Sequence, residues 1–247
     1  MEKMELISTL LDKLGGRFSA ALGINLDQGD SHEVFKWFLA SILYGARISE
    51  TIANNTYRVF AKNGVLSPDR ILETGWDGLV LLLDVGGYVR YDFKTATKLL
   101  EVMAALKERF DADLNALHAQ AQNPHDLEQS LMDLGKGIGP VTVNIFLREL
   151  RDVWEKADPL PQDLAAMAAR NLGLVQADEP KEISSEIRAV WGTPGPPGWT
   201  FADFESALVR LGKDYCRRQK CPTCPVAGEC ERSTTTTKDP SKTTQFP

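Results

Sequence analysis

The residues most able to do chemistry in this chain are four cysteines near its C-terminus. They fall within fifteen residues in the spacing C-x4-C-x2-C-x5-C, and no other position is a cysteine; they are Cys216, Cys221, Cys224 and Cys230. Cysteines used only for packing would be scattered, so this clustering indicates a metal centre. Four thiolates suit an iron–sulfur cluster or a zinc ion, and composition alone does not separate the two. Disulfides or free thiols are a third alternative.

Composition indicates an ordinary soluble globular protein. The chain has 247 residues, of which 43% are hydrophobic and 25% charged, enough to fill one large core or two small ones. No apolar run reaches the length of a membrane span, and the first residues do not form a signal peptide. We therefore expect a cytoplasmic protein, and a reducing compartment favours metal ligation over disulfides. The net charge of −6 argues against coating nucleic acid by charge alone, but it permits a local basic surface.

Helix signals occupy nearly the whole chain, and no segment alternates in the manner of a strand. The strongly apolar run 34–43 predicts a central buried helix. Ser67-Pro68 predicts a helix that stops at Gly75, and Thr200 with Asp203 predicts a capped final helix. The predicted fold class is therefore all-α. Residues 233–247 lack core-forming side chains, and we expect them to be a disordered tail.

A second candidate site is the glycine turn Lys136-Gly137-Ile138-Gly139, which joins two predicted helices. Glycine permits a positive φ and close approach of another molecule. The helix that follows begins at Pro140, and its N-terminus offers unpaired N–H groups and the positive end of a dipole, which suit a phosphate. Lys136, Gly137 and Gly139 are therefore the candidate phosphate-binding residues. Taken alone, such a turn is an ordinary αα-hairpin.

Together, the turn and the cysteines resemble the helix-hairpin-helix DNA glycosylase superfamily. The closest resemblance is to its iron–sulfur branch, which contains endonuclease III and the adenine glycosylase MutY. The resemblance covers residues 31–230. Gly137-Ile138-Gly139 with Thr142 and Asn144 is similar to the hairpin signature, and the last three cysteines reproduce the two- and five-residue gaps of the cluster loop.

This resemblance implies a two-domain organisation, a cofactor and a partner. Residues 31–147 would form a helical barrel domain that ends in the hairpin, and residues 1–30 with 148–232 would form the iron–sulfur domain. The four cysteines would hold a [4Fe–4S] cluster in a structural role, with zinc as the alternative. The partner would be double-stranded DNA that contains a damaged or mispaired base, bound by a monomer.

The chain departs from endonuclease III at the position of its catalytic lysine, where Val141 stands. An apolar side chain cannot form a Schiff base with the sugar, so we expect a glycosylase without lysine-dependent lyase activity. Hydrolysis then needs a carboxylate near C1′ of the sugar. Asp158 lies close to the family spacing, and Asp163 lies in a similar Pro-x-Asp context at a helix start. Either acid also has an ordinary structural use, in a turn or at a helix N-terminus.

Three arginines complete the predicted DNA surface. Ala46 stands where endonuclease III has a glutamine that fills the gap left by a flipped base, and the longer Arg47 follows it. Arg217 and Arg218 lie in the first cysteine gap, which has four residues instead of the family's six. Two rival hypotheses remain: a member of the family that binds DNA or lesions without catalysis, and a zinc-stabilised helical scaffold unrelated to DNA.

Overall fold

A computed structural model describes residues 2–192 and 195–230, and all regular elements in these residues are helical. The predicted all-α class is therefore confirmed, whereas the predicted tail, 233–247, lies outside the described residues. No helix in the described part is long and apolar enough to span a membrane. In chain order the helices are α1 (Glu2–Leu14), α2 (Ser31–Tyr44), α3 (Glu50–Lys62), α4 (Pro68–Val85), α5 (Asp92–Phe110), α6 (Leu114–Gln120), α7 (Pro124–Met132), α8 (Pro140–Arg148), α9 (Asp163–Asn171), α10 (Pro180–Trp191) and α11 (Phe201–Leu211).

The chain divides into two compact units. The larger unit is Phe18–Pro159, and the smaller unit combines Met1–Arg17 with Leu160–Pro247. The larger unit extends beyond the expected 31–147 at both ends. Glu149 ties the two ends of this unit together. Its buried carboxylate accepts hydrogen bonds from the backbone N–H groups of Phe18 and Ser19, at 2.8 and 2.9 Å.

The central helix of the larger unit is α2, which is buried over most of its circumference as predicted. Two contacts hold α8 against it. The indole N–H of Trp37 donates to the carbonyl of Phe146 at 3.0 Å. Gly45, at the end of α2, lies so close to Thr142 that an added Cβ would be 2.1 Å from the threonine Oγ1. These contacts fix the helix that follows the glycine turn.

The predicted stop at Gly75 is a break inside α4. Gly75 has φ 66° and ψ 176°, and helical conformation resumes after it up to Val85. After α4, the chain is anchored by Tyr88, which is fully buried and donates its hydroxyl to the carbonyl of Leu43 at 2.7 Å. The loop between α4 and α5 is therefore fixed to the end of the central helix.

The smaller unit is built around α11, which is buried along most of its length. Its predicted cap is confirmed, since Thr200 and Asp203 form a reciprocal capping box. The guanidinium of Arg210 donates to the carbonyl of Leu14 at 2.9 Å and to that of Gly16, which satisfies carbonyls at the C-terminal end of α1. Helices α1 and α11, far apart in the sequence, are thus joined in one unit.

We expect Glu149→Ala to lower the free energy of unfolding by about 3 kcal/mol. The substitution leaves two buried N–H donors and the adjacent buried Arg148 without the carboxylate. Urea unfolding followed by circular dichroism measures the change. Glu73→Ala removes an exposed ion pair with Arg70 and should cost less than about 0.5 kcal/mol. Equal losses for the two variants would contradict this account of Glu149.

Candidate nucleic-acid interface and metal centre

The glycine turn has the predicted conformation. Gly137 has a φ of 93°, which favours glycine, and the buried Ile138 pins the turn while its N–H donates to the carbonyl of Gly135 at 3.2 Å. Gly139 is the N-cap residue of α8, and Pro140 occupies the first helical turn. The sequence signal was sufficient here because the conformation of the turn depends on its own glycines and a local hydrogen bond.

The N-terminal end of α8 has no side-chain cap. The helices α2, α3, α4 and α7 differ in this respect, because an aspartate, serine or asparagine side chain accepts their first N–H groups. An added Cβ at Gly139 would have no neighbour within 4 Å. The positive end of α8 is therefore accessible to an anion from outside the chain.

Lys98 lies against this turn, which the sequence did not predict. A Cβ built on Gly137 would be 2.9 Å from the Lys98 Cε and 3.4 Å from its Nζ. Burial lowers the pKa of the Lys98 ammonium. Together with the exposed Lys136, it brings a second amino group to the turn. No local pattern marks Lys98, because α5 reaches the turn only through the tertiary fold.

Val141 faces outward from the first turn of α8. Its exposed fraction is 56%, whereas Thr142, the next residue, is buried against Gly45. Arg47 is exposed in the loop that leaves α2 two residues after Gly45. The contact between Gly45 and Thr142 therefore brings the Arg47 loop to the N-terminal end of α8, where Val141 lies.

Asp158 forms an ion pair in the larger unit. The Nη1 of Arg151 lies 2.5 Å from its Oδ1, and the same guanidinium donates to the carbonyl of Pro159. Only 4% of the Arg151 side chain is exposed, compared with 53% of the Asp158 side chain. The Asp158 carboxylate is thus accessible to solvent and paired with a buried arginine. It lies in the same compact unit as the glycine turn.

Asp163 lies in the smaller unit and begins α9, where its charge faces the helix dipole. It lines a cavity of about 340 Å³ together with residues of α9, the loop after it and the start of α10, among them Arg170, Asn171 and Asp178. The two aspartates that the sequence offered as alternatives are therefore in different compact units.

All four cysteines line one cavity of about 350 Å³ in the smaller unit. They are free thiols, and the Sγ of Cys230 donates to the carbonyl of Asn171 at 3.1 Å. Burial raises the pKa of the Cys224 thiol, and the other three cysteines raise it further. Among the described residues, no group of three or more histidine, cysteine, aspartate or glutamate side chains is arranged to hold a metal ion. Arg217 and Arg218 are exposed in the first gap between the cysteines.

Comparison with known proteins identifies the fold. Neither a protein-family model nor a curated protein sequence matches the chain. Among solved structures, endonuclease III trapped as a covalent intermediate with DNA matches with a TM-score of 0.53 and 16% identity, over 95% of this chain and 98% of that one. A non-covalent endonuclease III–DNA complex matches with a TM-score of 0.54 and 14% identity, over 94% and 95% of the two chains.

A thermostable thymine-DNA glycosylase also matches, with a TM-score of 0.54 and 14% identity over 95% of this chain and 97% of that one. At this level of identity the likeness shows the fold. The helix-hairpin-helix DNA glycosylase fold expected from the sequence is therefore confirmed.

Proposed function

We propose that this protein is a DNA repair glycosylase, which hydrolyses the N-glycosidic bond of a damaged or mispaired base in duplex DNA. The observation that carries the proposal is the match to the endonuclease III fold over nearly the whole chain. The uncapped N-terminal end of α8 supports it, since unpaired N–H groups at a helix start suit a phosphate of DNA.

The phosphate would bind at the glycine turn. Gly137 and Gly139 allow the DNA backbone to approach closely, and the first N–H groups of α8 supply donors. Lys136 and Lys98 add positive charge on the same turn. Arg47, exposed two residues after Gly45, is long enough to enter the duplex or clamp a second phosphate. Arg217 and Arg218 would contact phosphates from the cysteine loop.

The chemistry would depend on a single carboxylate and water. Cleavage of the glycosidic bond develops positive charge on the sugar, which an ionised carboxylate stabilises while it orients the attacking water. We assign this role to Asp158, because it shares a compact unit with the glycine turn and its carboxylate is exposed to solvent. Asp163 already serves the N-terminus of α9. Val141 supplies no amine, so the reaction would end at the abasic site.

The four cysteines would hold a [4Fe–4S] cluster. They converge on one cavity, as a fully thiolate-bound group requires. A single zinc ion bound by the same four thiolates is the alternative. A four-iron cluster is larger and holds its thiolates further apart. When bound, it would supply a rigid structural centre, and the chain's own contribution is the loop that carries Arg217 and Arg218.

A second candidate function is DNA or lesion binding without catalysis. Val141 favours it, because this substitution removes the one nucleophile that endonuclease III carries on this helix. The two functions make the same prediction for binding and opposite predictions for base release.

We expect base release from at least one duplex in a panel that contains uracil, alkylated purines, 8-oxoguanine and mismatches. Asp158→Asn should lower the single-turnover rate at least 100-fold, because an amide cannot stabilise the positive charge. The matched variant Asp163→Asn should change it less than about threefold. Strand cleavage should appear only after treatment with alkali, since no Schiff base forms. Binding of the duplexes without release of any base would favour the non-catalytic alternative.

We expect Gly139→Asp to raise stability and weaken DNA binding together. The backbone of Gly139, with φ −117° and ψ 178°, accepts an N-cap aspartate, which should add about 0.5–1 kcal/mol to the free energy of unfolding. The same carboxylate occupies the phosphate position and repels the phosphate, so the duplex affinity should fall more than about tenfold. Urea unfolding and fluorescence anisotropy measure the two effects. Gly139→Asn is the neutral control, and equal affinity for the aspartate and asparagine variants would contradict an anion site.

We expect the protein purified without oxygen to contain about four iron atoms per chain and negligible zinc. Cys224→Ser should lose this iron, because it removes one of four thiolates, whereas Thr223→Ser in the same loop should retain it. Metal analysis measures the iron and zinc content, and the visible absorbance from sulfur-to-iron charge transfer reports the cluster. One zinc atom per chain, lost in the same cysteine variant, would replace the cluster with a zinc site.

A further inference from the structure

A buried arginine supports Asp158 from within the larger unit, and none of the proposed DNA contacts uses it. Arg151 follows α8 by three residues, and its guanidinium binds two neighbouring groups: the Oδ1 of Asp158 and the carbonyl of Pro159. A planar guanidinium can direct two N–H groups at once, so it fixes the carboxylate and the backbone beside it in a single arrangement.

The loop between the two partners is itself held firmly. The indole N–H of Trp154 donates to the Oδ1 of Asn115 at 2.8 Å. The ammonium of Lys156 donates to the carbonyls of His118 and Ala121, both at 2.8 Å. These bonds fasten the loop to α6 and to the residue after it. Arg151 and Asp158 therefore meet at the two ends of a fixed segment.

A second acid lies close to the same ion pair. Glu128 on α7 interacts electrostatically with Asp158 and Arg151, and His125 on the same helix also faces it. Burial raises the pKa of Glu128, and the charge of Asp158 raises it further. The charge of Arg151 offsets that of Asp158 at Glu128, so without the guanidinium the two carboxyl groups would repel each other more strongly, and the more exposed Asp158 would move.

We propose that Arg151 is a positioning residue for Asp158, which holds the carboxylate in the orientation needed for base release. The inference rests on the proposed function, because it assumes that Asp158 performs the chemistry. The role is specific to an arginine, because neither lysine nor methionine could replace both bonds. Lysine would keep the charge but cannot bind the carboxylate and the Pro159 carbonyl in the same fork, and methionine would fill the space but remove both bonds.

The test compares the rate of base release with DNA affinity in a series of variants. Arg151→Met should lower the single-turnover rate about 30-fold, because a carboxylate displaced by about an ångström loses much of its effect. The affinity for a duplex that contains an abasic-site analogue should stay within threefold. Arg151→Lys should fall between Arg151→Met and the unmodified protein. Arg70→Met, at an exposed ion pair, is the matched control and should leave both quantities unchanged.

Two further measurements separate positioning from simple loss of structure. Guanidinium ion at millimolar concentration should restore part of the rate of Arg151→Ala but none of the rate of Asp158→Asn. Glu128→Gln introduced into Arg151→Met should also recover part of the rate, because it removes the repulsion. If Arg151→Met does not fold, the rate of Arg151→Lys and the rescue of Arg151→Ala decide the question.

The outcomes for the inference and for the proposed function are distinct. A folded Arg151→Met with an unchanged rate, beside an inactive Asp158→Asn, would overturn the role of Arg151 and leave the proposed function intact. Base release that survives Asp158→Asn would overturn both the assignment of Asp158 and the inference that rests on it. Loss of rate in Arg151→Met with an equal loss of DNA affinity would indicate a structural role and contradict positioning.

Discussion

The packing of α8 against the central helix is the constraint on which the larger unit's candidate sites depend. The close contact of Gly45 with Thr142 fixes one end of α8, and the bond from Trp37 to the Phe146 carbonyl fixes its middle. Beyond its other end, Glu149 binds the N-terminal edge of the unit. A nine-residue helix is about 13 Å long. The glycine turn and the Arg151 loop are therefore held at opposite ends of this short helix.

This arrangement lets one helix carry two different tasks. Its first turn presents uncapped N–H groups, which suit an anion, and the chain after its last turn leads to a buried cation that holds a carboxylate. Neither task uses the buried face of α8, which belongs to the core. The exposed side chain of Val141, in the first turn of α8, can therefore change without loss of the helix.

The features that were predictable from the sequence are those whose causes are local. Residues within a few positions determine each of three such features: the glycine turn, the capping pair of Thr200 and Asp203, and the apolar run of α2. Lys98 could not be predicted, because it reaches Gly137 only when α5 packs beside the turn. The choice between Asp158 and Asp163 was also beyond the sequence, since both have plausible contexts and only the tertiary fold assigns them to different units.

The contact between α11 and the end of α1 has a consequence for synthesis. Leu14 and Arg210, which meet in the smaller unit, are 196 residues apart in the chain. On the ribosome, α1 has no α11 to pack against until all the elements between them have been made. The larger unit, Phe18–Pro159, is complete much earlier and can fold while synthesis continues. The cysteine loop follows α11 directly, so it is synthesised after the larger unit is complete.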